Sequence, residues 1–233
     1  MSTKPLLIFG SAEMATLARF YFEQDGGRRV AAYTVDDDYV DAGTLDGLPL
    51  VPFSEATMRF PAVSHDGFVA LSYNRLNRLR AAKAAQMRDA GYLLASYVCS
   101  RSVTWPDLVI GDNCFVLENQ TIQPTVTIGN NVYLWSGNHI GHGTVIEDDV
   151  YVASHVVVSG HCRLGRGSFF GVNATVRDFC TIGAECFVTM GAPVTRDLPD
   201  GSVALAAGGE VLPPDDRRAA ALRKKYFSIG AGE

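Results

Sequence analysis

The histidines are the residues whose type and spacing best suit chemistry. Four of the five lie close together in the sequence, as His139, His142, His155 and His161. A neutral imidazole can take a proton from an attacking amine or hydroxyl near pH 7. The densest polar cluster is SGNHIGHG, residues 136–143, and it makes His142 the candidate general base.

A six-residue repeat must position these histidines. Read in sixes, residues 110–199 give fifteen units without an insertion, and the first position is always Ile, Val, Leu or Phe. The second position is Gly in six units, and the fifth is mostly small. This period predicts a chain that turns a corner every six residues, so that three sides close one coil and coils stack as parallel strands. We expect Gly to supply the backbone angles of the corners.

Several residues near His142 depart from this repeat or share its edge. Asn138 stands at a position that is elsewhere small, Trp135 stands where Gly is favoured, and His139 adds a second imidazole. Local rules that fail together often mark a functional site, so all three are candidate substrate contacts. Gly160 and His161 follow His142 by about one coil, which predicts that they lie beside it.

The cysteines fit a structural interpretation. Cys114, Cys162, Cys180 and Cys186 all occupy the fifth position, where a small apolar residue packs well. Cys99 lies outside the repeat and receives no role. Since no CxxC motif occurs, we expect neither a zinc site nor any other metal.

The first 95 residues lack the repeat and alternate between strand and helix patterns. Apolar runs predict strands at residues 6–10, at a second segment ending near Val35, and at two further segments, LPLVPF and GFVALS. Residues 12–24 and 74–91 read as helices. Strands that alternate with helices predict a small parallel α/β sheet, a Rossmann-like domain.

The turn after the first strand is a candidate nucleotide site. Its sequence, GSAEMA, is a degraded GxGxxG in which Gly10, Ser11 and Ala12 would approach a phosphate. Asp36 follows the second strand, where such folds hold a ribose. Glu13 opposes phosphate binding, so a fold-determining turn that binds nothing, or binds another ligand, remains open. Weaker candidates follow the fourth strand, namely Asn74, Asn77 and Arg78.

Composition narrows the function classes. Apolar residues make up 47% of the chain, enough for a sizeable core, and the net charge of −5 argues against nucleic-acid binding. No apolar run is long enough to cross a membrane, and the N-terminus does not read as a signal peptide. We therefore expect a cytoplasmic protein with no membrane insertion.

At this point the sequence resembles the hexapeptide-repeat sugar acyltransferases of the PglD/NeuD type. The likeness rests on IFGSAEMA, on SGNHIGHGTVIEDD, on VVVSG and on GAPVTRDLPDG. It implies a Rossmann-like domain over residues 1–95 and a left-handed parallel β-helix over 96–208. Residues 209–233, with Pro213-Pro214 and then DDRRAAALRKKYF, read as a short helical tail. The resemblance also implies a homotrimer that uses acetyl-CoA to acetylate an amino or hydroxyl group of a free or nucleotide-linked sugar.

The resemblance assigns roles to particular residues. The motif GxxxxHxxxIxD, from Gly137 to Asp148, places the base at His142. Coenzyme A would lie between subunits, near Gly160 and His161 and near the turn of Met190, Gly191 and Ala192. The acidic residue that often follows the base is here Gly143, so Glu118, Glu147 or no acid would support it.

Other functions stay open to test. A β-helix that has lost activity and serves as a binding protein or scaffold would carry the same repeat. A zinc carbonic anhydrase would need three ligating histidines, and the spacing here does not resemble that family's.

Overall fold

A small parallel sheet with three helices forms the front part of the chain. The computed structural model describes residues 3–39, 43–208, 212–213, 216–218 and 221. The strand order is β3-β4-β2-β1-β5, with β3 and β4 antiparallel and the other pairs parallel. The elements are β1 Leu6–Phe9, α1 Glu13–Gln24, β2 Val30–Val35, β3 Thr44–Leu45, β4 Leu48–Pro52, α2 Phe53–Arg59, β5 Asp66–Val69 and α3 Arg78–Asp89, with a 3-10 turn at Asp37–Tyr39.

The carboxyl edge of this sheet holds a topological switch point. Strand β1 lies between β2 and β5, so the chain leaves β1 towards one side and returns on the other. Ligands of open α/β sheets bind in the crevice that such a switch opens. Gly10 closes β1 at this place, and a Cβ there would lie 2.7 Å from the carbonyl oxygen of Ala70.

Residues 97–204 form a three-sided parallel β-helix, which confirms the six-residue repeat. Every strand has two residues, and strands pair with those 18 residues away, as Tyr133 does with Tyr151, except that Phe187 pairs with Val203 at the last coil. The strands are β6 Tyr97–Val98, β7 Val109–Ile110, β8 Phe115–Val116, β9 Thr121–Ile122, β10 Thr127–Ile128, β11 Tyr133–Leu134, β12 His139–Ile140, β13 Val145–Ile146, β14 Tyr151–Val152, β15 Val157–Val158, β16 Arg163–Leu164, β17 Phe169–Phe170, β18 Thr175–Val176, β19 Thr181–Ile182, β20 Phe187–Val188, β21 Pro193–Val194 and β22 Val203–Ala204.

Three faces result. The first face contains β6, β8, β11, β14, β17, β20 and β22; the second contains β9, β12, β15, β18 and β21; the third contains β7, β10, β13, β16 and β19. The first-position aliphatic side chains of the repeat point inward and form one buried column, together with Cys114, Cys162, Cys180 and Cys186. All five cysteines are buried free thiols, Cys99 among them.

The glycines of the repeat work differently from our expectation. The left-handed backbone angles occur at the fourth position, which holds Asn131, His155, His161 and Phe179 as well as glycines. Second-position glycines such as Gly141 and Gly165 have ordinary angles. There a Cβ would lie 2.4–2.5 Å from backbone of the next coil. Close approach between coils, and not a special φ, therefore requires glycine at the second position.

An aromatic wall joins the two parts. Outward residues of the first face, including Phe115 and Tyr133, pack against Phe22 and Phe68 of the α/β part in one buried cluster. The guanidinium of Arg80 is fully buried at this junction, 4.3 Å from the Tyr133 ring centre. The α/β sheet is therefore fixed on the first face of the β-helix.

The predicted bounds of the β-helix can be compared with the structure at its first coil. The first coil begins at Tyr97, close to the predicted residue 96. The helical tail predicted for 209–233 falls largely outside the described residues. No helix in the described part of the chain is both long and apolar enough to span a bilayer.

Candidate active site

His142 lies exposed at the corner where the second face turns into the third. It directly follows β12 and Gly141, and its backbone N–H donates to Oε1 of Gln123 at 2.9 Å. The same Oε1 lies 3.0 Å from Nδ1 of the His142 ring. Gln123 belongs to the preceding coil, so one amide oxygen contacts both the backbone and the side chain of the candidate base.

Two glycines, Gly160 and Gly143, leave space at this corner for the rings of His142 and His161. A Cβ on Gly160 would lie 2.9 Å from Cε1 of His142, and a Cβ on Gly143 would lie 2.5 Å from Nδ1 of His161. The two rings meet edge to face with centres 4.8 Å apart. His161 stacks in turn on Phe179, 5.1 Å away. The sequence predicted that Gly160 and His161 lie beside His142, and they do.

Neither acid considered in the sequence reaches the His142 ring. Glu118 accepts hydrogen bonds from the Tyr21 hydroxyl at 2.7 Å and the Ser136 hydroxyl at 2.9 Å. Glu147 pairs with Arg163 on the third face. The partner of the ring is the neutral amide of Gln123, which sequence reasoning missed. The signal that could have found it is a polar second-position residue 19 places before the histidine.

The predicted substrate contacts near His142 separate in the structure. His139 is half-buried and faces outward on the second face, one short strand before the corner. Asn138 is buried inside the wall, where its side-chain amide donates to the Trp135 carbonyl and accepts from the Val156 N–H at 2.7 Å. Asn138 is therefore a wall residue with no free amide to offer a ligand.

A second cluster forms an aromatic pocket at the corner between the first and second faces. Its cavity has a volume of about 390 Å³. The predicted substrate residue Trp135 and the predicted cofactor residue Met190 both line it, beside Tyr73, which comes from the loop after β5. Gly191 follows with φ +70°, whereas Ala192 points into the core and is fully buried, which removes Ala192 as a direct contact. Other lining residues are Tyr151, Ala153, Ser154, Phe169, Gly171, Val172 and Phe187.

The predicted nucleotide residues meet at the carboxyl edge of the α/β sheet. Ser11 and Ala12 are exposed between Gly10 and the start of α1. Asp36 carries an ion pair with Lys83, Nζ to Oδ1 at 2.5 Å. The ammonium group of Lys83 therefore neutralises the Asp36 carboxylate at this edge.

The weaker candidates after β5 serve different ends. Asn74 is exposed near this edge. Asn77 is fully buried, and its Nδ2 donates to the carbonyl of Gly167 at 2.9 Å. Arg78 is exposed and forms an ion pair with Glu185. Asn77 and Arg78 therefore connect the α/β part to the β-helix, which leaves Asn74 as the candidate open to a ligand.

Among the described residues, no group of three His, Cys, Asp or Glu side chains could hold a metal ion. Within the same residues, none of the ion pairs includes His142. What the His142 corner offers is an accessible imidazole held by an amide on one side and by a second imidazole on the other. That arrangement suits proton transfer at the protein surface.

Comparisons with known proteins agree with the repeat. Residues 125–160 match the family described as bacterial transferase hexapeptide (six repeats). An acyl-[acyl-carrier-protein]–UDP-N-acetylglucosamine O-acyltransferase of Stutzerimonas stutzeri is 31% identical over 99 residues, which cover 40% of this chain. The chain spans only 38% of the length of that curated relative.

Solved structures extend the likeness to both parts of the chain. PerB from Caulobacter crescentus, in complex with CoA and GDP-perosamine, has a TM-score of 0.77 and 25% identity, over 89% of this chain and 99% of that one. The acetyltransferase domain of PglB from Neisseria gonorrhoeae, in complex with acetyl coenzyme A, has a TM-score of 0.76 and 20% identity, over 87% and 96%. The hexapeptide repeat is therefore shared with that family over residues 125–160, and the α/β part followed by a β-helix is the fold of these two structures.

Proposed function

We propose that this protein is an acetyl-CoA-dependent acetyltransferase that modifies an amino or hydroxyl group of a sugar, most simply a nucleotide-linked one. The observation that carries the proposal is the His142 corner, an exposed imidazole held by Gln123 and His161. The structural likeness to PerB, whose structure contains CoA and GDP-perosamine, supports the donor and the acceptor class.

In the proposed reaction His142 acts as the general base. As the sugar amine or hydroxyl attacks the thioester carbonyl, the imidazole takes its proton. A bond forms between the acyl carbon and the sugar nitrogen or oxygen, the carbon–sulfur bond breaks, and the proton passes to the departing thiolate. No acyl-enzyme forms, and no metal takes part.

The acceptor site of the proposal lies at the α/β part and the aromatic pocket. The nucleotide would bind at the carboxyl edge, at Gly10, Ser11 and Ala12, with Asp36 at the ribose. The sugar would pack on the uncharged aromatic pocket at Trp135. This arrangement uses the switch point and the pocket that the Tyr73 loop connects.

Within one chain, the base and the aromatic pocket lie at different edges. His142 stands at the corner of the second and third faces, whereas Trp135 and Met190 stand at the corner of the first and second faces. The second face separates them, so a complete site requires another copy. We propose a homotrimer in which coenzyme A lies between copies, against Gly160 and His161 of one and the Met190–Gly191 turn of the other.

The composition of the second face supports this assembly. The outward side chains of its strands include no Lys, Arg, Asp or Glu. This composition fits an interface because surfaces buried between copies are depleted of charged residues. The outward side chains are Thr121, His139, Val157, Thr175 and Pro193. Light scattering in solution should give three times the 25.1 kDa chain mass.

A thiol-release assay tests the proposed activity. The protein is mixed with acetyl-CoA and with each of a panel of nucleotide-linked amino sugars, and free coenzyme A thiol is measured. We expect release that depends on one class of sugar, with the acetylated sugar found by mass spectrometry. If no sugar caused thiol release although the protein still bound its ligands, the alternative of an inactive β-helix binding protein would be favoured.

A further inference from the structure

We propose that Gln123 is a positioning residue for His142. Gln123 holds the His142 ring in the Nδ1–H tautomer and, because it is uncharged, lets the ring act as a base at lower pH than a carboxylate partner would. This inference rests on the proposed function of His142. The observation behind it is that a single oxygen contacts two atoms of His142. Oε1 of Gln123 lies 2.9 Å from the backbone nitrogen of His142 and 3.0 Å from Nδ1 of its ring.

The backbone contact fixes which end of the amide faces the histidine. A backbone N–H can only donate, so the atom it meets on Gln123 must be the oxygen and not the NH₂ group. The same oxygen then needs a donor at Nδ1, which places the ring proton there. The lone pair of the neutral imidazole is left on Nε2, away from Gln123 and available to a substrate.

The β-helix provides this contact by its geometry. A side chain at the second position of one coil reaches the N–H of the third position in the next coil, 19 residues later. Glu147 makes the same contact at another corner, where its Oε2 accepts from the Arg166 N–H at 2.8 Å. Gln123 is therefore placed by the coil register, and His142 adds its ring to a contact that the fold already offers.

The surroundings of His142 make the charge of its partner important. In the described part of the chain, no carboxylate lies within ion-pair distance of its ring. The titratable group that does touch it is the imidazole of His161. Asp178 lies in the same corner column but two coils further on, and Asp107 is engaged by the Thr125 N–H. A carboxylate at position 123 would thus be the first negative charge against the ring and would stabilise the imidazolium.

Two variants separate position from charge. Gln123→Glu keeps the oxygen and adds a negative charge that stabilises the imidazolium. In the profile of kcat against pH, the acid limb should therefore move to higher pH by about one unit. At high pH, kcat should stay within a few-fold of wild type. Gln123→Met removes the oxygen at similar length, so kcat should fall about 10-fold at every pH, since part of the ring population takes the wrong tautomer. Glu147→Met is the control, which removes the equivalent contact at another corner together with the Glu147–Arg163 ion pair and should leave kcat unchanged.

A spectroscopic measurement keeps this inference separate from the catalytic one. Nitrogen-15 shifts of the His142 ring in the neutral range should show Nδ1–H in the wild type and a tautomer mixture in Gln123→Met. An unmoved acid limb in Gln123→Glu, or identical ring shifts in wild type and Gln123→Met, would overturn the role of Gln123. If His142→Ala kept full turnover, the proposed base would be wrong, yet the ring shifts would still decide whether Gln123 positions His142.

Discussion

At the residue scale, the absence of side chains shapes the candidate site as much as their presence. The His142 ring occupies the space of the missing Cβ of Gly160, and the His161 ring occupies that of Gly143. The sequence pointed to His142 because polar residues cluster there, and to Gly160 because it follows one coil later. It could not identify Gln123, since the 19-residue contact depends on how adjacent coils turn their corners.

Gly160→Ala tests this use of space. The backbone of Gly160 has no left-handed angle, so alanine fits the chain, but its Cβ would lie 2.9 Å from Cε1 of His142 and displace the ring. We expect kcat to fall by roughly 10- to 100-fold with little change in the melting temperature, because misplacement of a catalytic group by about 1 Å is costly. The control is Gly43→Ala, where a Cβ meets nothing within 4 Å. Equal kcat in both variants would contradict the account.

At the element scale, the hexad predicts strands and corners well because an inward apolar residue recurs at the first position without exception. What it does not predict is which corner position takes the left-handed angles. Asn131, His161 and Phe179 share that conformation although their types differ, so the backbone imposes it. The hydrogen-bonded join between α1 and the first coil was also invisible in the sequence, since it is made by the side chain of one aspartate beside the aromatic packing of the same helix.

That join predicts a pH effect. Asp25, at the end of α1, accepts hydrogen bonds from the hydroxyl and backbone N–H of Ser100 and from the Tyr97 hydroxyl, and these lower its pKa to about 2. A depressed pKa stabilises the fold above the unfolded value near 3.9, and this contribution is lost as pH falls through about 2.

Asp25→Asn should therefore lower the free energy of unfolding at pH 7 by about 1 kcal/mol, after allowance for solvent exposure. Urea unfolding at pH 7, 5 and 3 should show the difference from wild type shrinking towards low pH. Ser100→Ala removes the Ser100 hydroxyl that donates to Asp25, so its free energy of unfolding should depend less on pH than that of the wild type. A difference that grew on acidification would show that the contact does not hold Asp25 ionised.

At the scale of the whole molecule, the α/β sheet and the β-helix share one buried wall. Both parts could be predicted from their separate periodicities, but their contact could not, because Asn77 reads as a candidate ligand contact and Arg80 as an ordinary residue of a helical segment. In the structure Arg80 donates to the carbonyls of Asn131 and Asp149, both at 3.1 Å, and burial lowers its pKa. This junction fixes the carboxyl edge of the sheet relative to the aromatic pocket.

Arg80→Met should destabilise the protein by roughly 3 kcal/mol or more, because it leaves several buried acceptors without a donor. The matched control is Arg78→Met, two residues away, which removes only an exposed ion pair with Glu185 and should destabilise the protein far less, because solvent screens exposed ion pairs. Denaturant unfolding measures both. Similar losses for the two variants would mean that Arg80 does not join the parts.

The most direct test of the proposed activity is the turnover of His142→Ala in the thiol-release assay with the sugar that the wild type accepts. We expect turnover to fall about 100-fold or more, as loss of a general base typically produces, with the proposed trimer and coenzyme A binding retained. Turnover within a few-fold of wild type would contradict this expectation and remove His142 from the mechanism.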